Sequence, residues 1–159
     1  MNNVNEKGKM IGSFYLKKID ENGNVFFNDK IGDNLLLNEG INCMLSIFAG
    51  GSGTVFSNAN SYLGVGDDNT AAAATQTGLI AATNKVYQVV DGSFPTYGTL
   101  QKITFQSTFD GSTANFAWKE FTVANGNSNS AINLDRLVSD QGSKISGQVW
   151  VLSLVITLS

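Results

Sequence analysis

Apolar and polar residues alternate along most of this chain, the period-two pattern of strands with one covered face. "MIGSFYLKKI" and "NVFFNDKI" alternate in this way on either side of "DENGN". There Asn22-Gly23 signals a two-residue hairpin turn, because both residue types tolerate positive φ. "SYLGVG" and "TNKVYQVVDG" read as short strands, and "TLQKITFQSTF" places Ile103, Phe105 and Phe109 on one face. Gly111-Ser112 is expected to turn that segment into "ANFAWKEFTV", making the clearest long hairpin of the chain. "ANGNSNS" reads as a loop before "AINLDRLVS". The closing "KISGQVWVLSLVITLS" sets Trp150, Leu152, Leu154, Ile156 and Leu158 on one face and Val149, Val151 and Val155 on the other. A strand apolar on both faces is either central in its sheet or covered by a neighbouring subunit.

Spacing changes to three and four residues once, in "LLLNEGINCMLSIFAGG". Leu37, Ile41, Met44, Leu45 and Phe48 then share a helical face. This predicts one short helix near residues 38–49, with Asn38 as its N-cap and Gly50-Gly51 as its stop. The width of its apolar face suggests that it plugs one end of a sandwich or barrel. The pattern as a whole predicts an all-β fold, an antiparallel, jelly-roll-like β-sandwich with that one helix. Residues 10–159 form a single domain, preceded by a polar N-terminal arm at 1–9. A chain of 159 residues is long enough to bury one real core.

"YLGVGDDNTAAAATQTGL", Tyr62 to Leu79, interrupts the strand pattern and is open to several readings. As a metal loop, Asp67, Asp68 and Asn69 supply oxygen ligands but need Asp110 or Asp91 to close around an ion. As a phosphate cradle it lacks both the third glycine of a dinucleotide fingerprint and a Gly-Lys-Ser/Thr, and its aspartates would repel phosphate. As structure, a strand ends at Val65, Gly66 permits a sharp turn, and Asp67 to Thr70 cap a turn or short helix through the alanines. These residues favour the last reading. Asp20, Asn22 and Asn24 also match the opening of an EF-hand loop, but Val25 and Ile31 stand where that loop needs glycine and glutamate.

Composition narrows the chemistry. Charged residues are 14% of the chain, against about 25% in typical globular domains. Net charge is −3 and Arg136 is the one arginine, so there is no basic stripe for nucleic acid. The chain has no histidine and one cysteine. That removes most zinc sites and the ordinary Ser-His-Asp and Cys-His pairs. Cys43, inside the apolar "INCMLSIF", reads as an inert buried thiol. The longest apolar run, "VWVLSLVITL", is too short for a membrane-spanning helix, and "MNNVNEKGKM" lacks the apolar stretch of a signal peptide.

Several motifs in collinear order resemble those of tailed-bacteriophage virion structural proteins. "YLGVGDDNTAAAATQTGL" resembles their "(I/L)-(A/G)-V-G-(T/D)-G" turn with its small residues and "(D/Q)-T-x-L" end. "LLLNEGINCMLSIFAGG" is similar to the helix that precedes that turn in the family. "FAWKEFTVANGNSN" resembles their "W-x-E-(F/V)-G" strand, "INLDRLV" their "N/D-R-x-V", and the closing strand their terminal one. Thr122 stands where that family usually has glycine, and Asn125 falls one place later than its asparagine. The likeness covers roughly residues 35 to 159.

The resemblance implies a non-enzymatic virion component, made in the host bacterial cytoplasm, that binds no cofactor, nucleic acid or membrane. The favoured role is a capsid decoration or cement subunit, a homo-oligomer such as a trimer that stabilises the head lattice through the major capsid protein. A nine-residue arm spans about 30 Å when extended, enough to cross a capsomer boundary. The alternative is a tail, baseplate or fibre-associated protein touching other tail proteins or host glycans, through aromatics such as Tyr97 or Phe94 beside Pro95. An enzyme would need two of Asp67, Asp68, Asp110 and Glu120 paired as acid and base, and nothing in their spacing brings two together. Trp118, Glu120, Arg136, Trp150, Gly64, Gly66 and Asp67 are the structural and interface candidates. If Glu120 points inward it needs a partner, and Arg136 is the available arginine, so the two are expected to pair; charged groups more than about 6 Å apart would end that idea.

Overall fold

The structure, a computed structural model, describes residues 8–159. The proposed arm at 1–9 lies almost wholly outside the described residues. Lys9 itself exchanges both backbone hydrogen bonds with Ser159, at 2.7 and 3.0 Å, and so continues the first strand.

Two five-stranded antiparallel sheets face each other. Sheet 1 comprises β1 (Met10–Ile19), β2 (Val25–Asp33), β6 (Thr96–Thr99), β7 (Lys102–Phe109) and β10 (Val149–Leu158), in the order β2-β1-β10-β7-β6. Sheet 2 comprises β3 (Leu35–Leu36), β4 (Tyr62–Gly66), β5 (Lys85–Val89), β8 (Glu120–Ala124) and β9 (Asp135–Val138), in the order β3-β9-β8-β4-β5. The chain is thus the all-β sandwich that its alternation predicts. The helix α1 (Asn38–Phe48) follows β3.

β10 is central, paired with β1 from Met10↔Leu158 to Ile19↔Val149 and with β7 on its other side. Its inner face, Trp150, Leu152, Leu154 and Ile156, is buried; Val149, Val151 and Val155 on the outer face are half-buried. The remaining core comes from Phe14 and Leu16 of β1, Phe105 and Phe109 of β7, and Leu63, Val65, Phe121 and Val123 of sheet 2. Trp118, just before β8, joins the two layers. Its ring lies 4.7 Å from Phe109, 4.8 Å from Trp150 and 6.2 Å from Phe121, centroid to centroid, in edge-on contacts. Its indole N–H donates to the Ala114 carbonyl at 2.9 Å, so this buried donor is satisfied.

Three sequence expectations change. The long hairpin between "TLQKITFQSTF" and "ANFAWKEFTV" does not form: β7 stays in sheet 1 while β8 lies in sheet 2. The Asp110 carboxylate accepts from Ser112 N–H and from the Ser112 and Thr113 hydroxyls, which turns the chain across the sandwich rather than back on itself. The β1–β2 hairpin does form, but only Gly23 takes positive φ, at 85°. Asp20 there accepts from Asn22 N–H and Asn24 N–H, closing a longer turn than a two-residue one. At the helix start Leu37, not Asn38, occupies the cap; it is buried, and Asn38 N–H is satisfied by the Ala74 carbonyl at 2.8 Å. Of the turn or short helix expected through the alanines after Gly66, the turn is what forms, with Gln76 N–H bonded to the Ala73 carbonyl at 3.0 Å. Alternation alone also gives no sign of β6, a four-residue edge strand whose residues are all exposed.

The helix docks through its first turn, where Gly40 is buried against Leu134, the residue just before β9. A Cβ at Gly40 would stand 2.4 Å from Leu134 Cα and 2.5 Å from its carbonyl oxygen. Glycine to alanine inside an exposed helix normally gains about 1 kcal/mol of propensity. Gly40→Ala is expected to reverse that sign and lower the urea unfolding midpoint, because the neighbour that must move is backbone; a raised midpoint would show that the helix docks differently.

Candidate functional site

The motif residues meet in one buried ionic clamp on the outer side of sheet 2. β8 is buried along all its residues, its inner face by the core and its outer face by a strap of chain running from 67 to 84. Glu120 points into that strap. Its carboxylate accepts from Ile80 N–H at 2.9 Å and from Ala81 N–H at 2.8 Å. Arg136, on β9 two residues before Val138, the ladder partner of Glu120, donates from Nε to Glu120 Oε2 at 2.9 Å and holds Nη2 2.8 Å from the same oxygen, so the expected pair is present and wholly buried. Nη1 reaches the strap as well, donating to the Thr70 carbonyl at 2.8 Å and to Gln76 Oε1 at 3.1 Å. Nη2 lacks a well-aligned hydrogen bond and sits between Glu120 and Asp68 Oδ1, 3.8 Å away, held by charge.

The two glycines of "YLGVG" make room for this cluster. Gly66 lies opposite Glu120 in the β4–β8 ladder, and a Cβ on it would stand 2.3 Å from Glu120 Oε1. Gly64 lies opposite Thr122, and a Cβ there would meet Thr122 Cγ2 at 2.7 Å and the Tyr87 ring at 2.8 Å. Asp67 pairs with Asn84, accepting its side-chain N–H at 2.7 Å, and Asp68 accepts from Thr70 N–H at 2.7 Å, so each aspartate shapes its own end of the strap. Asp91 accepts from Gln106 and Thr108 on β7. Of the carboxylates weighed as metal ligands or as acid and base, Asp67, Asp91 and Asp110 serve separate loops, whereas Asp68 and Glu120 share the Arg136 guanidinium, which neutralises them as an ionic cluster; among the described residues no group of three or more Cys, Asp or Glu converges on a metal-sized site.

A second buried network, for which the chain's local patterns give almost no cue, surrounds Asp135. Its carboxylate accepts from Val123 N–H at 2.9 Å and from the Asn34 side chain, with no cation against it among the described residues. Burial pushes its pKa up to about 7, although both hydrogen bonds pull the other way. Asn34 sits where the chain passes from sheet 1 to sheet 2, its N–H bonded to the Gly12 carbonyl at 2.9 Å. Thr122 donates to the Asp135 carbonyl at 2.6 Å, and the Tyr87 hydroxyl reaches Asn129 and Asn133. The one sequence signal is three polar residues, Asn133, Asp135 and Arg136, inside an otherwise apolar strand segment.

Trp150 packs under Lys18, whose ammonium lies 4.5 Å from its ring and 4.7 Å from that of Phe27. Cys43 is half-buried rather than buried; burial, and then the charge of Glu39, raise its pKa and keep the thiol protonated. No helix among the described residues is long and apolar enough to cross a membrane.

None of these buried groups can touch a partner; the exposed apolar surface lies elsewhere. Between the last turns of α1 and the edges of β1, β7 and β10 runs a groove of about 550 Å³ lined solely by apolar residues. The helix was expected to plug this end of the sandwich. Met44 does pack on the core, but Leu45 and Phe48 face outward, with Phe48 92% exposed. No family model, curated protein or solved structure matches this chain.

Two outcomes test the buried networks. Arg136→Met and Glu120→Gln each strip one partner from a fully buried pair, so each should cost about 3–5 kcal/mol in chemical denaturation, and the double variant less than the sum; additive losses would mean the pair is not coupled. Asp135 holds its proton more tightly folded than unfolded. Its contribution to stability is therefore full below the ordinary 3.8 and is lost as pH rises towards about 7. Asp135→Asn should flatten that fall in unfolding free energy, and an unchanged pH profile would contradict it.

Proposed function

We propose that this chain is a non-enzymatic structural subunit of a tailed-phage virion, a capsid decoration or cement protein that works by oligomerising and binding the head lattice. The observation that carries this reading is the contiguous apolar surface at the helix end of the sandwich, around Phe48 and the groove beside it. Apolar surface removed from water contributes about 25 cal/mol per Å², and on a lattice that gain must be surrendered before subunits separate. The low charge content suits this use, since few ions need be desolvated when such a surface is covered.

The motifs that resemble the virion family support the same reading from another side. Their Trp, Glu, Arg and glycine positions are spent on holding the sandwich and its strap, which is what a shared architecture with variable outer surfaces requires. Partners are then other virion proteins and further copies of this chain, and the place of action is the virion.

A second reading, a tail, baseplate or fibre-associated protein, is favoured by Tyr97, which stands largely exposed on the edge strand β6, whereas Phe94 is partly buried against the core and does not present its ring in this way. An aromatic ring presented this way suits stacking on a sugar face.

Antibody-gold labelling, followed by cryo-electron microscopy of particles from cells producing the chain with its phage, separates the readings. Label over the heads is expected. Label confined to tails would overturn the head assignment in favour of the second reading, and particles without label would overturn both.

A further inference from the structure

We propose that two copies of this chain associate through the helix end of the sandwich, about a two-fold axis that places Phe48 of each copy in the groove of the other. The inference deepens the assembly reading above by naming the surface and symmetry through which copies meet.

A two-fold interface uses the same patch on both partners, so that patch must carry both the protruding group and the recess that receives it. This surface does. Phe48 projects from the last turn of α1, 92% exposed, so its ring has almost no contact within its own copy. Phe48 stands at one wall of the groove of about 550 Å³, whose other side is lined by Met10, Met44, Ile103 and Leu158, a recess large enough for an aromatic ring. No ionisable side chain lines the groove, so a second copy can cover it without desolvating a charge.

The area fits as well. Val55, Leu158, Leu45, Leu100 and Tyr97 are 47% to 77% exposed. They are continuous with the groove: Leu45, Val55 and Leu158 line it, Leu158 N–H bonds the Gln101 carbonyl next to Leu100, and Tyr97 lies opposite Ile103 in the β6–β7 ladder. With Phe48, these side chains expose on the order of 600–800 Å² at about 150–200 Å² for a side chain of this size. A stable interface takes about 800 Å² from each partner, whereas the largest apolar patch of a typical monomer is about 300–600 Å². The patch therefore matches one half of a dimer. A small apolar ligand would fill the recess but leave Phe48, Leu100 and Tyr97 in water.

Sedimentation velocity of the purified chain over a dilution series tests the proposal without any phage particle, so its failure is distinct from failure of the virion assignment. The wild-type chain is expected to sediment at twice its 16.9 kDa mass. Phe48→Asp is expected to raise the dissociation constant roughly 30-fold or more while leaving the melting temperature of the dissociated chain unchanged, since Phe48 is not part of the monomer core. Leu45→Asp, on the same rim, should act alike. A single-chain mass at every concentration overturns the proposal, as does a mass of three chains, or a dimer that survives both substitutions.

Discussion

The Glu120–Arg136 pair is the contact on which the outer half of sheet 2 depends. An ion pair taken fully out of water contributes little net stability, because desolvation consumes most of the attraction. What it does here is fix geometry. One carboxylate takes two backbone N–H groups of the strap and the guanidinium, and that guanidinium takes a strap carbonyl and the Gln76 amide. A segment with no strand or helix of its own thus has three of its backbone polar groups, the Thr70 carbonyl and the Ile80 and Ala81 N–H groups, satisfied by side chains of β8 and β9. Without the pair, the Thr70 carbonyl and the Ile80 and Ala81 N–H groups would lose their partners on the sheet.

This explains why a sheet can carry glutamate, threonine, asparagine and aspartate in its buried positions. Strands buried on both faces are normally runs of aliphatic residues. β8 and β9 depart from that rule because their cover is irregular backbone, which needs donors and acceptors rather than methyl groups. The glycines of β4 belong to the same arrangement: Gly66 and Gly64 leave the volume that Glu120 and the Tyr87 ring occupy. Asp135 is the counter-example inside the network. It has two donors and, among the described residues, no cation, and burial alone sets its raised pKa.

The two ends of the molecule differ in kind. At the clamp, polar groups are buried and satisfied, and nothing is offered to a partner. At the helix end, apolar groups are exposed and the groove beside them is unfilled. α1 is responsible for the contrast. Gly40 brings its first turn close against Leu134, and further along only Met44 packs on the core while Leu45 and Phe48 stay exposed. The same side chains that read as a core-facing stripe become a surface feature because of one close backbone approach.

Much of this architecture is legible in the residues alone. Period-two alternation is a local property of a chain with one covered face, so the strands and the sandwich follow from the residues themselves, while the two apolar faces of β10 leave open whether it is central or covered by another subunit, which the pairing with β1 and β7 decides. The Glu120–Arg136 pair is legible on one condition, that Glu120 points inward, since the chain then offers a single arginine to meet it. What stays open at that level is whatever depends on which surfaces meet. Gly111-Ser112 could equally return the chain beside β7 or carry it to the other sheet, since a turn signal sets a bend and not its destination. Leu45 and Phe48 could equally face core or water, since helical spacing defines a stripe without saying how much of it is covered. Asp135, Asn34 and Tyr87 come together from strands far apart in the chain, and no local pattern encodes that meeting. Local periodicity is written residue by residue, whereas burial is decided only when distant segments exclude water from one another.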